Sequence, residues 1–79
     1  MTVMRKFYFN IRRDSTVFED RSGVMLAGVT DAWRWAIKDA LMLVRGDYLD
    51  RANCQYWIEV CDAERRAVVT FPIGYVTMH

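Results

Sequence analysis

Little in this sequence offers reactive chemistry. It has one histidine, His79, at the last position, two cysteines, Cys54 and Cys61, one proline and four glycines. A catalytic base must be held in place, and a terminal residue usually is not. Cys54 and Cys61 lack the spacing of a zinc pair and have no histidine partner, and no adjacent base activates either thiol. Ala27-Gly28 supplies one glycine ahead of the central helix, not a glycine-rich phosphate cradle. A surplus of one charge sign is also missing. Eleven Lys and Arg face ten Asp and Glu, for a net charge of +1. The overall field neither attracts nucleic acid nor imitates it. No apolar run is long enough to span a membrane. Met1 to Arg13, broken by Arg5, Lys6 and Asn10, lacks the apolar core of a signal peptide. These gaps predict a protein that is not an enzyme, takes no cofactor or metal, stays off membranes and sits in the cytoplasm with reduced thiols.

What is present is apolar and well patterned. With 79 residues, the chain reads as one small α+β domain spanning 1–79. Its hydrophobic share is 53%, more than one small core hides easily. Homodimerisation or docking on a larger protein would cover the excess.

From about Arg5 to Arg12, Phe7, Phe9 and Ile11 alternate with Lys6, Tyr8 and Asn10, which is strand periodicity in β-favouring side chains. Arg13-Asp14-Ser15 offers turn chemistry, and Thr16-Val17-Phe18 a short second strand. Asp20-Arg21-Ser22-Gly23 reads as a tight turn in which Asp20 accepts from amides two or three residues on and Gly23 takes a positive φ. Val24-Met25-Leu26 continues the apolar path. The spacing predicts a helix from Thr30 to Arg45, with Thr30 as N-cap, Asp31 at the positive end of the dipole and Gly46 as the stop. Ala32, Trp33, Ala36, Ala40, Leu43 and Val44 make its apolar face. The alanines predict close approach to a sheet, and Trp33 the bulky anchor. Gln55 to Cys61 and Ala67 to Phe71 alternate again, with Tyr56, Ile58, Val60, Val69 and Phe71 inward. The charged stretch Asp62 to Arg66 between them suits a hairpin loop. Pro72 fits a strand end, and Ile73 to His79 reads as an edge strand or a tail. The expected architecture is β-β-α-β-β, one helix packed on a four-stranded antiparallel sheet.

In these features the chain resembles a small bacterial family known only as a domain of unknown function. The likeness rests on the aromatic strand Arg5 to Arg12, the acidic glycine turn Asp20-Arg21-Ser22-Gly23-Val24, and the alanine-rich helix from Asp31-Ala32 through Ala36 and Ala40. It closes on Trp57-Ile58-Glu59-Val60-Cys61-Asp62 and Val68-Val69-Thr70-Phe71-Pro72. Trp33 and Trp35 stand where that family tends to small or charged residues, and the helix stops early at Gly46. The resemblance implies a fold and no activity. A looser similarity links the strand, acidic turn and helix start to the HicB-type antitoxin domain. Such antitoxins usually carry a separate DNA-binding segment, for which this sequence has no room.

The remaining candidates are surface groups. Arg34, Lys38 and Arg45 share one helix stripe opposite the apolar face, with Trp35 and Met42 beside it. Cations next to an exposed aromatic can hold phosphates and stack a base, which makes Arg34, Lys38 and Arg45 a candidate nucleic-acid stripe. An apolar strip rimmed by Arg and Lys is also the chemistry of a protein-binding hot spot. The favoured expectation is a non-enzymatic module that binds a larger protein through Trp35, Lys38, Met42 and Arg45, with Tyr8 and Trp57 on the sheet as further contacts. A concrete version is an inhibitor from a phage or other mobile element, of the anti-CRISPR type, that occupies a protein surface. Arg65 and Arg66, at the hairpin tip, are expected to be merely exposed.

Overall fold

The computed structural model describes residues 3–74. The elements run β1 (Arg5–Arg13), β2 (Thr16–Phe18), β3 (Val24–Leu26), α1 (Val29–Arg45), β4 (Tyr56–Cys61) and β5 (Ala67–Pro72). All pairings are antiparallel, in the order β2-β1-β4-β5, with β3 also on β1. The α+β architecture with one helix on one sheet is the expected one, and the sheet gains a fifth strand. Val24-Met25-Leu26 does more than continue an apolar path: it pairs with Arg5, Lys6 and Phe7.

β2 and β3 are two halves of one returning strand. Four steps along β1 separate Phe7 from Ile11, whereas their partners Val24 and Phe18 are six apart. The two extra residues break the ladder, and the side chain of Asp20 repairs it. Its Oδ2 accepts the Phe9 amide at 3.1 Å, and its Oδ1 accepts the Ser22 and Gly23 amides, each at 3.1 Å. Asn10 Oδ1 accepts the Asp20 amide in return. Gly23 has φ +73°, and a Cβ there would press on Lys6 and on the Phe7 carbonyl, so the turn needs glycine.

Strand alternation sends Phe7, Phe9, Ile58, Val60 and Phe71 to the face under the helix. Ala32, Ala36 and Ala40 meet them with no exposed surface. Trp33 packs edge-on against Phe71, with ring centroids 4.9 Å apart.

Two helix details differ from expectation. The helix starts at Val29 and the N-cap is Gly28, whose carbonyl accepts the Ala32 amide at 3.0 Å. Thr30 is thus already inside the first turn, and no side chain caps that end. At the other end Gly46 stays right-handed, and Asp47 takes the positive φ of 56°. The Asp47 amide bonds the Val44 carbonyl and the Tyr48 amide reaches the Leu43 carbonyl, the paired bonds of a Schellman stop. The Tyr48 ring folds back over Gly46, so a Cβ there would have to displace the ring.

The loop to β4 closes on itself, with Asn53 Nδ2 on the Asp50 carboxylate and the Asp50 amide donating to the Tyr56 hydroxyl. Beyond β5, Ile73 is buried and its amide donates to the Tyr56 carbonyl. The rest of the expected terminal strand or tail, 75–79 with His79, lies outside the described residues.

Candidate functional site

The contact residues expected from the sequence separate onto two sides of the molecule. Tyr8 and Trp57 alternate with the core residues of β1 and β4, so they lie on the sheet face away from α1. Each is half-buried under an arginine. The Arg65 guanidinium sits 3.5 Å from the Tyr8 ring centroid, and Arg12 sits 5.2 Å from that of Trp57. Arg12 also bonds Glu59 at 3.0 Å. Arg65, although exposed, is not idle as expected: with φ +66° it reaches over Tyr8 and donates to the Asp20 carbonyl at 2.9 Å. This ties the β4–β5 hairpin to the β2–β3 break.

Trp35, Lys38, Met42 and Arg45 do fall together. All four are exposed on α1 and recur at intervals of three and four, one stripe of a helix. Lys38 Nζ lies 6.0 Å from the Trp35 ring centroid. Arg34 is exposed beside them.

What the sequence did not show is the surface this stripe adjoins. α1 rests on β4 and β5, with Trp33 wedged on that side. The helix-side face of β1 and β2 is therefore only partly roofed. A groove of about 570 Å³ opens there, floored by Phe9 and Ile11, walled by Asp39, Met42 and Leu43, and ended by Arg45, Gly46 and Tyr48. Phe18, paired with Ile11, continues the floor, and Arg13 lies 5.3 Å from its ring centroid. Along the same flank a second cleft is lined by Met4, Leu26, Ala27, Asp31, Arg34, Trp35 and Lys38. Exposures of 42% for Trp35, 50% for Phe18, 61% for Met42 and 77% for Tyr48 leave large apolar side chains facing solvent. Phe18 and Tyr48 escaped sequence reasoning because each sits in a short segment with no readable face.

The carboxylates differ in how they are held. Burial works against the charge of Asp20, but the Gly23, Phe9 and Ser22 amides and then Arg65 outweigh it, keeping its pKa below the ordinary 3.8. Asp39 is pushed the other way, first by burial and then by Asp20, with Lys38 only partly offsetting them. Both thiols are free, and both are shifted up: Cys61 by burial and then by Glu59 and Asp62, Cys54 by burial and then by Asp14 and Asp50. Neither is primed as a thiolate. Cys61 accepts a bond from Asn10 Nδ2 at 3.6 Å. Among the described residues no cluster of His, Cys, Asp and Glu could hold a metal, and no helix is long and apolar enough to cross a membrane.

Residues 6–74 match the model of a protein family described as a domain of unknown function, DUF6894. Searches of curated proteins and of solved structures returned no significant match. The looser HicB-type likeness is not shown by these findings. The chain belongs to the DUF6894 family.

Proposed function

We propose that this DUF6894 protein is a non-enzymatic docking module that receives an apolar surface of a larger protein along the α1 flank. The observation that carries this reading is Met42, exposed on the helix and lining the groove over Phe9 and Ile11, with Trp35 exposed on the same helix stripe and lining the second cleft. Large apolar side chains beside a recess, rimmed by Lys38 and Arg45, have the composition of an interface centre with its rim. Trp35 and Met42 act as anchors, and Lys38 and Arg45 set orientation at the edge. Tyr8 and Trp57 form a separate patch, already covered by arginines of the same chain.

A nucleic-acid reading has one observation in its favour: Arg34, Lys38 and Arg45 are all exposed on α1, with Lys38 near the Trp35 ring. It predicts binding that weakens steeply with salt.

Affinity capture with the tagged chain, with and without nuclease, separates the two. On the docking reading, a protein is retained after nuclease treatment and lost with Trp35→Ala plus Met42→Ala. Truncating one such anchor is expected to weaken binding by about 2 kcal/mol, roughly thirtyfold. Retention that vanishes with nuclease and with Arg34, Lys38 and Arg45 changed to Gln would replace the docking reading with the nucleic-acid one.

A further inference from the structure

The outer stripe of α1 carries a charge pattern that complements itself. Trp35 and Met42, its large exposed apolar groups, stand about two turns apart and so lie on one line along the helix. Lys38 and Asp39 flank that line at one level, about 50° to either side of it by helix geometry. The surface recesses agree with these sides: Lys38 lines the cleft with Arg34 and Trp35, and Asp39 lines the groove with Phe9 and Leu43. Neither charge has an opposite one at helical spacing on its own helix. At three and four residues Asp39 has Trp35, Ala36, Met42 and Leu43, and Lys38 has Arg34, Trp35, Leu41 and Met42, so no favourable ion pair along α1 is open to either.

We propose that a second copy of this chain covers the stripe, the two α1 helices lying parallel about a two-fold axis with Trp35 and Met42 of each along the seam. In a parallel two-fold pair, a residue on one side of the seam faces the other side of the second helix at the same level. Lys38 of each copy then meets Asp39 of the other, which makes two reciprocal ion pairs beside an apolar seam. The remaining charges of the stripe meet no like charge. Asp31 faces Ala32 and Arg45 faces Gly46, while Arg34 faces Trp35, a cation beside an indole. An antiparallel pair on the same seam would set Lys38 against Lys38 and Asp39 against Asp39, with only Asp31 and Arg45 attracting at the ends. The sign pattern therefore selects the parallel pair. Pairing also removes Trp35 and Met42 from water, two of the large apolar groups that the single chain leaves exposed. Beyond the docking reading, such pairing would regulate it: a second copy and a larger protein use the same anchors, so each displaces the other.

Sedimentation equilibrium of the full chain, from about 10 μM to about 1 mM, tests this, with circular dichroism reading the folding of each variant. The wild type is expected to pass reversibly from monomer to dimer within that range, and Trp35→Ala plus Met42→Ala to remain monomeric. Below the dissociation constant the chain is single and Asp39 is without its pair. Lys38→Glu and Asp39→Lys, each alone, put like charges across the seam twice and are expected to weaken association by about tenfold or more. The two changes together restore opposite charges and are expected to return the wild-type affinity, a recovery that a folding defect cannot produce. Glu64→Lys, a charge reversal at the β4–β5 hairpin, leaves association unchanged. A wild type still monomeric at the highest concentration would overturn the proposal. So would a dimer that survives loss of Trp35 and Met42, single reversals without effect (the antiparallel outcome), or a folded double variant as weak as either single one. A monomer that still captures a larger protein from lysate removes the pairing and keeps the docking reading; a dimer that captures none does the reverse.

Discussion

Asp20 and Asp39 show how one residue type takes opposite roles in one fold. Asp20 supplies a missing ladder acceptor: three backbone amides converge on its carboxylate, and together with Arg65 they overcome its burial. Asp20→Ala would leave the Phe9 amide without its acceptor, and is expected to lower unfolding free energy by about 1–3 kcal/mol in urea titrations. Because its folded pKa lies below the ordinary 3.8, its charge contributes stability above that pH and loses it as pH falls through the folded value. The gap between wild type and Asp20→Asn should therefore be constant near neutrality and narrow below pH 3.8. Asp39 has the reverse sign. Its pKa is raised from 3.8 by burial and by Asp20, against Lys38, so its ionised form opposes folding once pH exceeds the folded value. Asp39→Asn is expected to raise the melting temperature at pH 7, with the gain disappearing as pH drops to the unfolded value. Thermal melts across that range check both signs.

At the scale of elements, α1 is shaped by what its faces cannot tolerate. Ala32, Ala36 and Ala40 have no exposed surface, so the helix backbone lies close to Ile58 and Val60. Ala36→Leu would push the helix off the sheet, at an expected cost of about 1–3 kcal/mol from overpacking. Leu at exposed position 38 would cost far less, and denaturant midpoints compare the two directly. The C-terminal stop is equally specific. Gly46 lies directly beneath the Tyr48 ring and is not left-handed, since Asp47 carries the positive φ. Gly46→Ala should therefore displace Tyr48 and open the end of the groove. Gly46→Ala combined with Tyr48→Ala should recover the stability lost by the single change, a coupling readable as a double-mutant cycle.

For the molecule as a whole, stability is concentrated on β1 and β4. These central strands share six pairs, from Tyr8–Cys61 to Arg13–Tyr56, and carry Phe7, Phe9, Ile58 and Val60 into the core. β2 is three residues long and exposed throughout, and β5 carries a register shift opposite Val60 and Cys61 with Pro72 at its end, both features that discourage strand addition at an edge. Hydrogen exchange should accordingly be slowest in β1 and β4 and fastest in β2 and the loop after α1. The groove lies between these regimes, with a rigid floor at Phe9 and a wall of exposed side chains at Met42 and Tyr48. On the proposed docking reading, that combination would let the wall adjust to a partner without disturbing the core.

Periodicity alone identified β1, β4, β5 and α1, because period two and period three-and-a-half are written directly into Phe7-Phe9-Ile11, Tyr56-Ile58-Val60 and Ala32-Ala36-Ala40. It also placed Trp35, Lys38, Met42 and Arg45 on one stripe, since spacing by three and four is a helix property whatever the helix packs on. The Asp20–Gly23 turn was legible for a similar reason: an Asx turn and a positive φ are local chemistry. Three residues were too few to identify β3 as a strand, because its pairing is decided by β1. Thr30 was overruled as cap because Gly28 and its carbonyl bond to Ala32 set the cap two residues earlier. The separation of Tyr8 and Trp57 from the helix stripe, the Arg65 bridge to Asp20 and the groove around Asp39 depend on which strands lie under α1. Contacts between residues forty positions apart are set by packing in three dimensions, and no local pattern in the chain encodes them.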